Sequence, residues 1–466
     1  MDYVPITESQ RRKMLDTIGV SQTEELYTSL SPEHRLDRPL DLPPALSELQ
    51  LMRTLRAMAD ENRPAASPDT AGFLGGGAYD HFIPAVVDAL AGQSAFVTAY
   101  TPYQAEASQG ALQAFFEFQT QICRLTGLDV ANASLYDGAT ATAEAVMMAL
   151  NVTGRRRVLV ASTLHPHTRQ VLRTYLADLP AHVVEIPATN GVVSVETLRE
   201  AMAAGNGGAT SADVACVVVQ SPNVYGCIED WSALFAAAHE VAGTLAVAVI
   251  NPIACALLKT PGACGADIAV GEGQPLGIPL QYGGPYLGLL AARRKLMRKM
   301  PGRLIGQTTD AQGRRSFCLT LQTREQHIRG AKATSNVCTN QGLLALRATI
   351  YLSAMGPEGL RQVAEQCTHK AHHAAARLDA VEGYSLAFEG PFFHEFVVNC
   401  PVPARAVIDA GRTQRIMPGL DCGALGIGDA NQLLVAVTEN RTAAEIDGLA
   451  ALFQQASRVN VSSNAN

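Results

Sequence analysis

The sequence predicts an α/β fold: a large domain built on a mainly parallel sheet, a smaller α+β domain at the carboxyl end, and a helical arm at the amino end. Three observations carry this. Short apolar or β-branched runs (VLVAS, HVVEI, VACVVVQSP, TLAVAVI, ADIAVG and YLGLLAA) alternate with helical or loop segments such as WSALFAAAHEVAG. Strands that are apolar throughout and separated by helices belong to a sheet covered on both faces. From about Thr349 the rhythm changes to a long helical stretch ending near Val381, strands near FFHEFVVNCP and LLVAVT, and a last helix TAAEIDGLAALFQQA. A chain of 466 residues and 49.3 kDa is long enough for one large core and a smaller domain beside it.

Residues 1–75 read as the helical arm. Leucine and methionine recur at helical spacing from Tyr3 to Asp60, and Thr7 and Ser9 are candidate caps before RRKMLDTIGV. Such a segment is expected to lie along another body. The polar stretch ENRPAASPDT then leads into FLGGGAYDHFIP, where three successive glycines permit a close backbone approach. Residues 76–348 form the predicted large domain, in which LQAFFEFQTQICRLTG is an amphipathic helix closed by Gly127. The small domain takes residues 349–466, with SRVNVSSNAN expected to be loose.

Composition excludes several functions. Hydrophobic residues make up 47% and charged residues 17%, which is the balance of a globular chain. With a net charge of -7 and no long basic run, nucleic acid and anionic membrane are not expected partners. The ten cysteines are scattered, with no CxxC pair and no zinc-like spacing with histidine, so they read as buried thiols of a reducing compartment, with no metal site. The chain shows no apolar leader and no run of about 18 apolar residues. A soluble, cytoplasmic protein is expected.

Three segments are dense in polar groups. In AYTPYQAEASQGALQ, residues 99–113, Tyr100, Thr101, Tyr103, Gln104 and Glu106 converge before a helix start, where they could fix a small anion; a solvated loop has the same composition. In ASLYDGATATAEAVMMA, Gly138, Ala139 and Thr140 precede a helix of small residues, as in a phosphate cup, although ordinary small-residue packing fits the same letters. In LQTREQHIRGAKATSNVCTNQ, Arg324, Glu325, His327, Arg329 and Lys332 are followed by Thr334, Ser335 and Asn336. Charge runs are usually a solvated face, but CLTL and LLAL bracket this one and set it beside the core. His327 reads either as a surface histidine or as a proton shuttle.

FLGGGAYDHFIPAVV, TAYTPYQAEASQGALQAFFEFQTQICRLTG, ANASLYDGATATAEA, GIPLQYGGPYLG, LQTREQHIRGAKATSNVCTNQ and LLVAVTENRTAAEIDGL, in this order, resemble the P protein family of the glycine cleavage system. With PITESQRRKMLDTIG the resemblance spans nearly the whole chain. The family occurs as one long chain of two similar halves or as two subunits, and this chain resembles the amino-terminal half, or alpha subunit. The resemblance implies the fold type I architecture of enzymes that use pyridoxal 5'-phosphate (PLP). It also implies an oxidoreductase activity, that of a glycine dehydrogenase (aminomethyl-transferring, decarboxylating): glycine loses CO2, and the aminomethyl group passes to the lipoyl arm of the H protein. The implied partners are the P protein beta subunit, in a two-of-each assembly, and the lipoylated H protein.

In that family PLP is expected on a lysine of the beta subunit rather than on this chain. Set against the lysine-bearing loop, ADIAVGEGQPLGIPLQYGGPYLG contains no lysine and puts Gln274 at the position of that amine. Asn251, before Pro252, falls where a carboxylate would pair with the pyridinium nitrogen. By the same resemblance Tyr100, Thr101, Tyr103, Gln104 and Glu106 reach the active site across the subunit interface. Arg324, His327, Lys332, Thr334, Ser335 and Asn336 line the phosphate side of the cofactor or the channel for the arm, and Gly138, Ala139 and Thr140 form a degenerate phosphate cup. Ala105 departs from the proline expected there. Two other readings stay open: a structural partner without a catalytic part, and an independent PLP lyase or transferase using Lys259, one of six lysines in the chain.

Overall fold

The computed structural model describes residues 5–62, 64, 67, 69–97, 100–204 and 211–463, and it divides into two units, Met1–Arg63 and Pro64–Asn466. In the first unit the Thr7 hydroxyl accepts from Gln10 N while the Gln10 side chain accepts from Thr7 N (2.8 Å), a reciprocal cap that starts the helix Glu8–Ile18. Thr7, not Ser9, is therefore the cap. Ser47 and Gln50 repeat the device ahead of the helix Glu48–Asp60. Between them stand only the short turns Thr23–Tyr27 and Pro32–His34 rather than continuous helix, because Pro32, Pro39, Pro43 and Pro44 withdraw amide donors.

The second unit is organised by a seven-stranded sheet. Its strands are β1 (Val130–Ala131), β2 (Arg157–Ala161), β3 (His182–Ile186), β4 (Val214–Ser221), β5 (Leu245–Ile250), β6 (Ile268–Glu272) and β7 (Gly288–Ala292). They lie in the order β1-β7-β6-β5-β4-β2-β3. Strands β2 to β6 run parallel to one another, and β7 is antiparallel to both β6 and β1. Both faces are covered: along β4, Val217 and Val219 join the layer of Phe115, Phe118, Trp231 and Phe235, while Cys216 and Val218 join that of Ala141, Val146 and Leu172. That two-sided burial makes most of the strands read as apolar runs, with the edge strand β3 keeping His182 and Glu185 exposed, and six of the seven were predicted at these places.

The carboxyl-terminal part holds a four-stranded antiparallel sheet of Ser385–Leu386, Glu395–Asn399, Gln432–Ala436 and Leu420–Asp421. Its long helix begins earlier than expected, at Gly342, and is interrupted at Gly356 (φ 60°, ψ -179°) just before Pro357, whose ring cannot supply the helical amide bond. The final helix runs from Ala443 to Ser463 instead of ending in a loose tail; residues 464–466 lie outside the described residues. The hairpin Leu304–Thr309 with Arg315–Thr320 was not expected from the sequence. Its strands carry Gly306, Gln307 and Arg315, which break the alternation that would have marked them. Among the described residues no helix is long and apolar enough to cross a membrane, and all ten cysteines are free.

Candidate functional site

In open parallel sheets, ligands bind at the carboxyl ends of the strands. Here β4, β5 and β6 end at Ser221, Ile250 and Glu272, and a cavity of about 250 Å³ opens there, lined by Tyr79, Gly138, His165, Asn251, Glu272 and Glu395 among others.

The helix Gly138–Thr153 starts at its edge. Asp137 is the cap, accepting from Thr140 N (2.8 Å), so Gly138, Ala139 and Thr140 form the first turn rather than precede the helix. The outward amide of Gly138 donates to Glu272 Oε2 (2.9 Å), while Glu272 Oε1 accepts from Gln274 N and Leu287 N (2.9 Å each). Burial pushes the Glu272 carboxyl up to about 7, against the pull of these three amides.

Gln274 is 2% exposed and does not line the cavity. Its amide clamps backbone instead: Nε2 donates to Tyr79 O (3.0 Å) and Ile278 O (2.8 Å), and Oε1 accepts from Tyr79 N (2.8 Å). Asn251 does line the cavity, but its Oδ1 accepts from Ile253 N (2.9 Å) and Ala254 N (3.3 Å) and so caps the following turn.

On the opposite wall the Tyr79 hydroxyl donates to Glu395 Oε2 (2.6 Å), and Gly76 N donates to Glu395 Oε1 (2.7 Å). Burial raises the Glu395 carboxyl to about 7. His165 and His394 are held neutral by burial, at about 4 and about 3, and both ring nitrogens of His394 are buried without a partner. Behind this wall Glu439 accepts from Phe82 N (2.7 Å) through Oε1. Its Oε2 lies 2.7 Å from His81 Nδ1 and accepts from Cys367 Sγ (3.3 Å). The ligand atoms of His81, Cys367 and Glu439 lie within 4.8 Å of one another, a grouping that their distant sequence positions hid.

A second polar region gathers around Arg303. Its guanidinium donates to Asn340 Oδ1 (2.8 Å), Thr339 Oγ1, Cys338 O and the Tyr103 hydroxyl (3.2 Å each), and it lies 5.3 Å from the centre of the Tyr103 ring. The His327 ring is 6.4 Å from that of Tyr103. Tyr100 (92% exposed), Tyr103, Gln104 and Glu106 face outward, as do Lys332 and Asn336, while Thr101 keeps a buried, unpartnered hydroxyl. Arg324 is buried, its guanidinium taken up by the carbonyls of Met300, Gly302 and Leu321. Thr334 bonds back to the Arg324 carbonyl, and Ser335 Oγ accepts from Val337 N (3.0 Å). Two of the three polar segments therefore share one exposed face, while Gly138, Ala139 and Asn251 belong to the cavity. Lys259 is exposed, and among the described residues no lysine lines the cavity.

The seven-stranded sheet, the cavity at its strand ends and the carboxyl-terminal sheet together define the class: the fold is that of the fold type I PLP-dependent enzymes. It superposes with a TM-score of 0.60 on a C-DES mutant with glycine covalently linked to its PLP cofactor, over 83% of this chain and 97% of that one, where 13% identity shows the fold alone. The chain belongs to the glycine cleavage system P-protein family, whose model matches residues 1–453. It is 52% identical over 448 residues to the probable glycine dehydrogenase (decarboxylating) subunit 1 of Prosthecochloris aestuarii, covering 96% of this chain and 98% of that one. A crystal structure of glycine decarboxylase (P-protein) of the glycine cleavage system, in inhibitor-bound form, matches with a TM-score of 0.89 and 44% identity, over 98% of this chain and all of that one.

The cavity itself does not fit PLP. A seat for that cofactor needs an amine for the aldehyde, a carboxylate for the ring nitrogen and a free helix start for the phosphate. Gln274 is turned into the backbone, Asn251 caps a turn, and Glu272 sits on the helix start. Sequence reasoning flagged the first two by what they lack. It missed Glu272, Tyr79, Glu395 and Arg303, although an acidic residue directly ending the apolar strand IAVGE was a visible signal.

Proposed function

We propose that this chain is the half of a two-chain, glycine-decarboxylating enzyme that holds no cofactor, with PLP carried covalently by the beta subunit. The observation that carries the reading is that the groups a cofactor would need are engaged within this chain: Glu272 takes the amide at the helix start, and Gln274 is turned into the backbone. The Arg303 face, with Tyr100 to Glu106 and His327 to Asn336, then completes the partner's pocket and lines the path of the lipoyl arm of the H protein. Its exposed tyrosines and polar side chains can position glycine while excluding water.

The test is to add PLP to this chain alone and to its mixture with the beta subunit, reduce with borohydride and map the labelled peptide. Label confined to the beta subunit, with exchange of bicarbonate into glycine only in the mixture, is the expected result. Label on this chain sinks the reading. A second measurement addresses the face. Tyr103→Phe, which removes one of the four acceptors of Arg303, and Gln104→Ala are each expected to slow exchange about tenfold in the assembled complex, the scale of one lost hydrogen bond. Unchanged turnover in both would remove this loop from the site.

A further inference from the structure

The carboxylate of Glu272 takes three backbone amides from three separate segments: the start of the helix Gly138–Thr153, the loop after β6, and the approach to β7. Amides converging from a helix start and two loop turns are what a phosphate group takes in this class of site. The approach is close enough to demand glycine at the helix start. A Cβ on residue 138 would stand 2.7 Å from Glu272 N and 3.0 Å from its Cα, so Gly138 is what lets strand end and helix end meet. Asp137 and Glu395, which line the same cavity, add further acidic groups facing any anion that enters.

We infer that the Glu272 carboxyl group itself occupies the phosphate seat of the fold, so that phosphate-bearing ligands are excluded by a filled seat and not by a missing one. The inference rests on the reading that this chain holds no cofactor, and it adds to it a specificity-determining residue. Lack of a lysine removes the covalent bond alone. Glu272 removes the non-covalent anchor as well, which leaves the complex a single place for a phosphorylated cofactor.

The experiment uses the full chain and inorganic phosphate as the probe. Glu272→Ala empties the seat while leaving its three amides in place, so phosphate, compared with chloride at equal ionic strength, should raise the Tm of the variant and leave that of the wild type unmoved. Calorimetry should show phosphate binding at least tenfold tighter to the variant than to the wild type. A variant recovered in soluble form only from phosphate buffer supports the inference equally. Equal responses of wild type and variant, or a folded variant with no response, overturn it. Should the variant not fold in either buffer, the wild type decides: the Gly138 amide should be strongly protected from hydrogen exchange and unaffected by phosphate, and a phosphate-dependent change at that amide refutes the assignment. Borohydride label found on this chain would sink the cofactor reading, whereas these phosphate measurements report on the seat whichever chain carries the label.

Discussion

Glu439→Gln should destabilise the chain by about 3 kcal/mol, the upper end of the scale for leaving a buried donor unsatisfied. The carboxylate serves three donors at once, from Phe82 N, His81 Nδ1 and Cys367 Sγ, and an amide can accept from only one side. The His81 Nε2 atom is already buried without a partner, so the imidazole cannot switch tautomer without burying a lone N–H. Urea unfolding at neutral pH measures the loss. The pH profile identifies its source. Burial pushes the Glu439 carboxyl up, but His81 and Phe82 N outweigh it and hold the group at about 2, below its ordinary 4.5. A carboxyl lowered by folding stabilises the fold above the unfolded value, and that share fades as pH falls through about 2. Glu272 and Glu395, raised to about 7, act the other way: their share is present at low pH and fades as pH rises through about 7. The wild type should therefore lose stability between about pH 4.5 and 2 more steeply than the variant. Parallel acid limbs would show that Glu439 is not the titrating group.

Gly226→Ala should cost about 3 to 5 kcal/mol, combining a left-handed backbone with overpacking. Gly226 has φ 82°, and an added Cβ would stand 1.9 Å from the carbonyl oxygen of Glu395 and 2.4 Å from its carbonyl carbon. Those atoms are backbone of a strand paired along its length with Gln432–Ala436, so they cannot swing aside. The displacement would carry Glu395 away from Tyr79 and open the cavity wall. A thermal melt within about 1 kcal/mol of wild type, on the scale of an ordinary surface change, would contradict this account.

Much of the architecture was legible because two-sided burial leaves a strong mark. Strands β2 to β7 carry apolar residues on both faces, and the helix ending at Gly127 shows its stripe and its left-handed closing glycine (φ 68°) in the letters. The hairpin at 304–320 is partly exposed and mixed in polarity, so neither period is clear. The break at Gly356 is written in the sequence as Gly-Pro, but apolar spacing continues across it and hides it.

The site was legible mainly through absences. A lysine-free loop and an asparagine at a strand end are local facts, open to inspection. Glu272 is different, since its meaning depends on Gly138, 134 positions away, arriving at 2.9 Å. Arg303 is likewise a lone arginine in the sequence; only the fold brings Tyr103 and Asn340 to it. Arg324 shows the converse, a charged residue in a charge-dense segment whose whole fork is consumed by backbone carbonyls.

The three amides at Glu272 also bear on how this chain stays folded as cofactor supply changes. A bound ligand stabilises its protein by RT ln(1 + [L]/Kd), so stability rises and falls with free concentration. A tethered carboxylate is present at one per chain and is never diluted. Its contact with the helix start therefore does not vary with the concentration of any dissolved ligand, and on the reading that this chain holds no cofactor its stability should be independent of PLP supply.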